Sequence, residues 1–157
     1  MKDIFKNVLG EYIAPEKLES VYNGCKYAAS TFVYGDVMDS RLVGVVVIDP
    51  VKAKEWAQAH GQPYTETTGE SGAPIADPSI LKNPDFYKAV TEDLEVCAKQ
   101  AKLQRFEYLA AVHLESEAWT PESNLVTAAL KNKRPELSKR YQKELEALYK
   151  KLGPVSH

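Results

Sequence analysis

The stretch 42–48 constrains the fold more than any other part of this sequence. It reads LVGVVVI, so apolar residues occupy positions that would point to both faces of a strand. Such a strand needs cover on both sides, and we therefore predict that it lies at the centre of a sheet. Asp49 and Pro50 follow immediately, and this pair is typical of a helix that begins with an N-cap aspartate and a first-turn proline.

The remaining patterns predict helices packed on a small sheet. Strands are expected at 30–34, 41–48 and 106–115, and helices are expected to begin at Pro15, Pro50, Pro84 and Pro135, the last running to the Gly153-Pro154 stop. A hairpin arm that turns at or near Gly10 comes first, because glycine permits positive φ. The stretch 62–80 has no periodicity, which predicts a long surface loop or flexible insertion. The predicted class is α+β, with a mixed sheet of about three main strands.

Composition indicates one domain spanning residues 1–157. Hydrophobic residues make up 44% of the 157 residues, which is enough for a core. The formal net charge of -2 gives no reason to expect nucleic acid or an anionic membrane as partner. The longest apolar run is far shorter than the roughly 20 residues of a membrane helix, so no transmembrane segment is expected.

The cysteines and histidines predict no metal site. Cys25 and Cys97 are far apart and lack a Cys-x-x-Cys spacing, which favours reduced thiols. Cys97 is assigned to the buried stripe of the helix from Pro84, together with Phe86, Val90, Leu94 and Ala101. His60, His113 and His157 show no ligand spacing. Glu115 and Glu117, two residues apart at a strand end, are expected to be solvated.

The stretch 126–134 reads VTAALKNKR and leads from a strand through a loop into the helix from Pro135. Lys131 is thereby held between two rigid elements. From these residues alone, Lys131 is either one more solvated cation in a run with Lys133 and Arg134 or a cation presented to a ligand.

Several spaced motifs resemble one enzyme family. Residues 2–22 read KDIFKNVLGEYIAPEKLESVY, and the stretches 42–50, 119–122 (WTPE) and 127–134 follow in order. Together they resemble the C-terminal domain of eukaryotic-type long-chain fatty acyl-CoA synthetases, which belong to the adenylate-forming, AMP-binding superfamily. The resemblance covers essentially the whole chain except 62–80.

The resemblance implies roles for individual residues. Lys131 would be the catalytic lysine that contacts the fatty acid carboxylate and the phosphate during adenylation. Lys2 would be the hinge about which this small domain rotates. Gly10, Glu11 and Tyr12 would line the path of the CoA pantetheine arm in the rotated state.

The resemblance also implies cofactors and partners. The full-length enzyme would use ATP, Mg2+ and CoA, and the isolated fragment is expected to bind none of them and to be inactive. The partner would be the N-terminal AMP-binding domain of the same chain, which takes the long-chain fatty acid. The implied location is intracellular, either cytoplasmic or peripheral on an intracellular membrane. The alternative is a non-catalytic module of the same fold that binds CoA or a protein.

The sequence departs from the family pattern around the lysine. Where the family usually has Leu-Thr-Pro-Thr, this chain lacks the proline and the second threonine and has Ala128 and Ala129. Asn132 replaces the usual apolar residue after the lysine. Asn124 stands where glycine is usual, and asparagine is expected to adopt the same left-handed conformation there.

Overall fold

The computed structural model describes residues 4–154 and shows an α+β fold. In chain order the elements are β1 (Phe5–Lys6), β2 (Tyr12–Ile13), α1 (Pro15–Tyr22), β3 (Ala28–Gly35), β4 (Leu42–Ile48), α2 (Pro50–Ala59), β5 (Thr67–Thr68), β6 (Pro74–Ile75), α3 (Pro78–Leu81), α4 (Pro84–Gln100), β7 (Leu109–Glu115), α5 (Arg134–Arg140) and α6 (Gln142–Leu152). Short 3-10 turns at Arg105–Glu107 and Pro121–Ser123 flank β7.

The main sheet has the order β3-β4-β7. β3 runs antiparallel to β4, and β7 runs parallel to it, so Val45 pairs with Phe32 on one side and His113 on the other. Every residue of β4 is buried. The predicted mixed sheet of three strands with β4 at its centre is confirmed.

The two faces of the sheet carry separate cores. On the first face, Val46 and Ile48 pack with side chains of α1, α2 and α4, including Leu18, Trp56 and Phe86. On the second face, Val43, Val45 and Val47 pack with Trp119, Val126 and the apolar side of α5 and α6. The side chains of β4 point alternately into the two cores. The strand therefore needs apolar residues at every position.

The predicted N-terminal hairpin is confirmed. β1 and β2 are antiparallel, with Phe5 opposite Ile13, and Gly10 in the connecting turn has φ +81°. Ile13 is fully buried in the first core, and Phe5 packs against the same core. A Cβ on Gly35 would lie 2.5 Å from Phe5 Cζ, so the close approach of the arm to β3 requires glycine there.

The segment 62–80 has more structure than its composition predicts. It contains the β5–β6 hairpin and helix α3, and Ile75 and Ile80 are buried. The Asp77 carboxylate organises it by accepting hydrogen bonds from the Thr65 and Ser79 amides at 2.7 and 3.0 Å. The prediction of a long surface loop was therefore wrong for the parts that form β5, β6 and α3, because these side-chain contacts lie outside any periodic pattern. Its flexibility stays a prediction.

Two helix predictions need correction. The terminal helix is divided into α5 and α6 at Tyr141, whose φ of -109° and ψ of 16° depart from helical values. In α4 the buried stripe continues from Leu94 to Ala98, while Cys97 is half-buried and Ala101 is exposed. The buried face of the helix is continued by Ala98, four residues after Leu94, and not by Cys97, three residues after it. Within residues 4–154, no helix combines the length and apolarity needed to cross a bilayer.

Candidate active site

Lys131 lies in a tight turn that closes on itself. The Thr127 amide donates to the Lys131 carbonyl at 2.8 Å, and the Leu130 amide donates to the Thr127 carbonyl at 2.8 Å. Val126 and Asn132 form the bridge at the base of this turn. The Thr127 hydroxyl also accepts a hydrogen bond from the Lys131 amide at 3.1 Å. The turn is therefore held by Thr127 without the proline usual in the family.

Leu130 has an unusual backbone conformation immediately before the lysine. Its φ is +64°, in the left-handed region, although its side chain is 68% exposed. A leucine in this region is strained by about 1–2 kcal/mol. Asn124, which precedes this turn in the chain, also has a positive φ, of 64°, as expected for an asparagine at a position where glycine is usual in the resembled family.

The three cations of the run 131–134 have different surroundings. The Lys133 ammonium donates to the Asn124 side-chain oxygen at 2.6 Å. The Arg134 guanidinium donates to the Val33 carbonyl at 3.3 Å and to the Glu19 carboxylate at 2.5 Å. Lys131 is exposed, and no residue of the described range 4–154 forms a hydrogen bond or ion pair with its ammonium. Of the three, Lys131 is the one presented outward.

A polar cluster around the buried Glu19 holds the end of the Lys131 turn. The Asn132 side chain donates to the Thr31 carbonyl at 3.0 Å, and Arg134 reaches the carboxylate of Glu19 in α1. That carboxylate also accepts from the Val33 amide at 2.8 Å. Burial raises the pKa of Glu19, while Arg134 and the Val33 amide act to lower it. We call Glu19, Asn132 and Arg134 the anchor cluster.

A second set of polar contacts lies in the second core, which also contains Val126 at the base of the turn. Trp119 Nε1 donates to the Tyr141 hydroxyl at 2.8 Å, and that hydroxyl donates to Glu115 at 2.6 Å. Glu115 also accepts from the Glu117 amide at 3.3 Å. Burial, with the Glu115 hydrogen bond, raises the pKa of Tyr141. The Glu115 carboxylate is therefore largely enclosed. The prediction that the acidic pair is solvated is wrong for Glu115.

The hairpin turn around Gly10 is organised by Asn7. The Asn7 side-chain oxygen accepts hydrogen bonds from the Leu9 and Glu11 amides, both at 3.0 Å, and its amide nitrogen donates to the Glu11 carboxylate at 2.9 Å. Asn7 is 6% exposed. Gly10 is exposed at the tip, and Tyr12 presents its ring to solvent on the outer side of the hairpin.

A broad groove lies beside this turn. Its volume is about 840 Å³, and Leu9 and Glu11 form part of its wall together with Tyr22, Leu94 and Arg105. The groove thus runs between the hairpin, α1 and α4. Burial raises the pKa of Tyr22, whose hydroxyl donates to the Glu107 carbonyl at 2.8 Å.

The structure does not bring the two predicted sites together. The hairpin packs against the first core through Phe5 and Ile13, whereas the Lys131 turn is built on the second core through Val126. The predicted hinge residue Lys2 lies outside the described residues. The roles assigned to Lys131, Lys2, Gly10, Glu11 and Tyr12 stay predictions.

Sequence reasoning missed the residues that hold both turns. Asn7 and Glu19 are buried polar side chains, and their partners are set by the fold. The available signal for Asn7 was its position shortly before Gly10, because asparagine often bonds to backbone amides in turns. No local signal pairs Glu19 with Arg134.

The chain is similar in sequence to known long-chain acyl-CoA synthetases. It is 38% identical over 152 residues to the peroxisomal long chain acyl-CoA synthetase 6 of Arabidopsis thaliana. This match covers 97% of this chain and 20% of that protein. It is 38% identical over 148 residues to long-chain-fatty-acid--CoA ligase 6 of Homo sapiens, covering 94% and 20%. Fatty acyl-CoA synthetase A of Dictyostelium discoideum is 42% identical over 149 residues, covering 94% and 21%.

Solved structures show the same fold. The adenylation domain of a carboxylate reductase from Mycobacterium chelonae superimposes with a TM-score of 0.73 at 31% identity, covering 93% of this chain and 19% of that one. The adenylation domain of a carboxylic acid reductase from Segniliparus rugosus, in complex with AMP and a co-purified carboxylic acid, has a TM-score of 0.72 at 28% identity, covering 96% and 20%. No protein-family model matches the chain. The chain spans about one fifth of the length of these relatives.

Proposed function

This chain belongs to the long-chain acyl-CoA synthetase family of the adenylate-forming enzymes, and from that premise we propose that it is the C-terminal lid domain of an ATP-dependent long-chain fatty acid:CoA ligase. The ligase activates a fatty acid as an acyl-adenylate and then transfers the acyl group to CoA. The larger part of the enzyme, an N-terminal AMP-binding domain, holds the ATP and the fatty acid.

The outward presentation of Lys131 carries this proposal. Its neighbour Lys133 is bound to Asn124, and Arg134 is bound to Glu19. Lys131 is therefore the cation of this basic run that can bind a ligand. The turn that holds Lys131 is tied to the fold on both sides. Because the backbone of the turn is fixed, the Lys131 side chain can be directed at charge that shifts during a reaction with little reorganisation of the chain.

In the first half-reaction the fatty acid carboxylate attacks the α-phosphate of ATP and pyrophosphate leaves. Lys131 contacts an oxygen of the carboxylate and an oxygen of the α-phosphate as negative charge moves between them. A lysine suits this role because its flexible stem delivers a compact charge. Mg2+ bound with ATP would neutralise charge on the phosphates, and residues of the larger domain would hold it.

In the second half-reaction the CoA thiol attacks the acyl carbonyl and AMP leaves. The lid rotates about Lys2, and the turn containing Gly10, Glu11 and Tyr12 lines the path of pantetheine. The placement of this turn and Lys131 on opposite cores of one sheet supports the proposal, since a rotation can then exchange one for the other at a fixed active site.

The test separates the two half-reactions in the full-length enzyme. Lys131→Ala is expected to slow pyrophosphate release from ATP and fatty acid by about 10²- to 10³-fold, because one charge-stabilising contact is removed. Thioester formation from supplied acyl-adenylate and CoA is expected to stay near the wild-type rate. Lys143→Ala, which removes an exposed cation of α6, is the control and is expected to leave both rates unchanged.

Equal losses in both half-reactions would contradict the assignment of Lys131 to adenylation. Failure of the full-length protein to consume ATP with fatty acids of any length would instead favour the non-catalytic CoA- or protein-binding module. The unusual Asn132 does not favour that alternative, because its side chain has a structural partner in the Thr31 carbonyl. The 157-residue chain alone is expected to show no turnover.

The proposed location of the full-length enzyme is intracellular, in the cytoplasm or at the surface of an intracellular membrane. Two relatives from Arabidopsis thaliana are named as peroxisomal. Fractionation of cells that express the tagged full-length enzyme, followed by a salt or carbonate wash of the membranes, tests this location.

A further inference from the structure

Two cysteines and one aspartate converge between α1 and α4, on the first core. Cys25 follows the end of α1, and its amide donates to the Tyr22 carbonyl at 3.0 Å. Asp93 and Cys97 stand one helical turn apart in α4, so their side chains share a face. Both sulfur atoms and a carboxylate oxygen of Asp93 lie within 4.8 Å of one another.

We propose that Cys25, Asp93 and Cys97 form a binding site for a thiophilic divalent cation of the Zn2+ class. Two sulfur ligands and one carboxylate oxygen match the donors that Zn2+ prefers, whereas Mg2+ and Ca2+ require oxygen ligands throughout. In a tetrahedral zinc site with Zn–S distances of about 2.3 Å, two sulfur atoms stand about 3.8 Å apart. The cluster therefore needs only a small contraction to enclose an ion.

The carboxylate is already oriented for this role. Asp93 Oδ2 accepts a hydrogen bond from the Lys26 amide at 2.7 Å, which leaves the other carboxylate oxygen for a cation. Hydrogen bonds of this kind to a ligand carboxylate are the usual support of a protein metal site. Since Lys26 is next to Cys25, the same backbone segment supplies one ligand and orients another.

The surroundings allow one open coordination position. Cys25 is buried, while Asp93 and Cys97 are half-buried, so the cluster reaches solvent on the α4 side. Three protein ligands and one water complete a tetrahedral site. Because both cysteines bind a cation as thiolates, an ion displaces the thiol protons, and the affinity is expected to increase with pH.

A bound ion would link the end of α1 to the last turns of α4. Both helices line the groove beside the hairpin turn, through Tyr22 in α1 and Leu94 in α4. The site is separate from Lys131, whose turn lies on the second core. This inference does not depend on the proposed ligase function.

The test uses the reduced 157-residue chain and two probes, Zn2+ and Cd2+. Titration with Cd2+ is expected to produce an ultraviolet thiolate-to-cadmium absorption band that saturates at one ion per chain, with release of about two protons. Zn2+ is expected to compete for the same site and to raise the melting temperature. Zinc affinity is expected to rise between pH 6 and about pH 8.

Variants of the half-buried ligands keep the test independent of folding. Cys97→Ser and Asp93→Asn are each expected to weaken Zn2+ binding by at least about tenfold. The matched control is Glu95→Gln, which removes an exposed carboxylate from the same helix and is expected to bind as the wild type does. Circular dichroism of each apo variant confirms that it is folded.

Three results would overturn the proposal. One is a wild-type chain that gives no cadmium band, and another is a band that survives in Cys97→Ser. In the third, peroxide oxidises Cys25 and Cys97 to a disulfide, with loss of two protons and two electrons. After reduction, the same pair of thiols binds neither Zn2+ nor Cd2+.

Discussion

The Arg134 guanidinium donates a hydrogen bond to the Glu19 carboxylate at 2.5 Å, and this contact joins α1 to the end of the Lys131 turn. The Glu19 side chain is 7% exposed and that of Arg134 is 17% exposed. Arg134 also lies over the Phe32 ring, 5.7 Å from its centroid. The turn that presents Lys131 is therefore positioned by a pair that connects distant parts of the chain.

Arg134→Met is expected to lower the free energy of unfolding by about 3 kcal/mol, because it leaves the Glu19 carboxylate buried without its cation. Glu19→Gln in the Arg134→Met background is expected to restore a large part of that loss. Denaturant unfolding of the single and double variants measures the coupling. Lys99→Met is the control, since its exposed pair with Glu95 contributes about 0.5 kcal/mol or less. Additive losses from Glu19→Gln and Arg134→Met would contradict this account.

The Glu19 carboxyl should make stability decline as the pH rises. Burial raises its pKa above the ordinary value of 4.5, so the folded chain retains this proton to a higher pH than the unfolded chain does. The contribution of Glu19 to stability is therefore greatest below pH 4.5 and is lost as the pH rises through the raised pKa. Unfolding measured across this range in Glu19→Gln is expected to lack that decline.

Asp39 provides a control, because its contribution to stability changes with pH in the opposite direction. Its hydrogen bond from Arg41 lowers its pKa below 3.8, so its contribution is present above that pH and is lost as the pH falls through the lowered pKa. Asp39→Asn should remove part of the acid-side loss and leave the Glu19 decline in place. An unchanged pH profile in Glu19→Gln would refute the assignment.

Gly10→Ala is expected to impair the thioester step in the full-length enzyme and to spare adenylation, because the turn must adopt a positive φ at this residue. The strain of an alanine there is about 1–2 kcal/mol. Gly72→Ala is a matched control, since Gly72 has a φ of +84° in another turn. Similar stability losses are expected for both variants, with the kinetic effect limited to Gly10→Ala. A thioester rate that falls equally in Gly72→Ala would show that strain alone, and not the position of Gly10, causes the defect.

Leu130→Asn is expected to raise the free energy of unfolding by about 1 kcal/mol, because asparagine tolerates the left-handed conformation that strains leucine. The leucine side chain is largely exposed, so little apolar burial is lost. Thermal and denaturant unfolding measure the gain. Met38→Asn replaces another exposed apolar residue, one without a positive φ, and is expected to give no gain. Equal effects of the two substitutions would exclude backbone strain as the cause.

Local patterns in the sequence were sufficient for most of the secondary structure. The doubly apolar stretch of β4 predicted a central strand, and the Asp49-Pro50 pair predicted the start of α2, where the Asp49 carboxylate accepts from the Val51 amide. The positive φ of Gly10 and Asn124 also followed from residue type. Each of these features depends on near neighbours in the chain, and their signals are therefore readable without the fold.

Features that join distant segments were not predictable in this way. Cys97 was assigned to the core stripe of its helix, but it is half-buried and meets Cys25. The break at Tyr141 places the side-chain hydroxyl of that residue between Trp119 and Glu115. No periodic pattern encodes such contacts, because each requires the packing of two elements against the same face of the sheet.

The sequence by itself determined where the central strand, the hairpin turn and the helices that begin at Pro15, Pro50 and Pro84 lie, because periodicity, caps and φ preferences act over a few residues. Its motifs also indicated the family to which the chain belongs. Only the tertiary structure decided which cation of the run 131–134 is presented outward, since Glu19 and Asn124 bind its neighbours. Only the tertiary structure placed the hairpin and Lys131 on different cores, because the alternating side chains of β4 divide the packing between two faces.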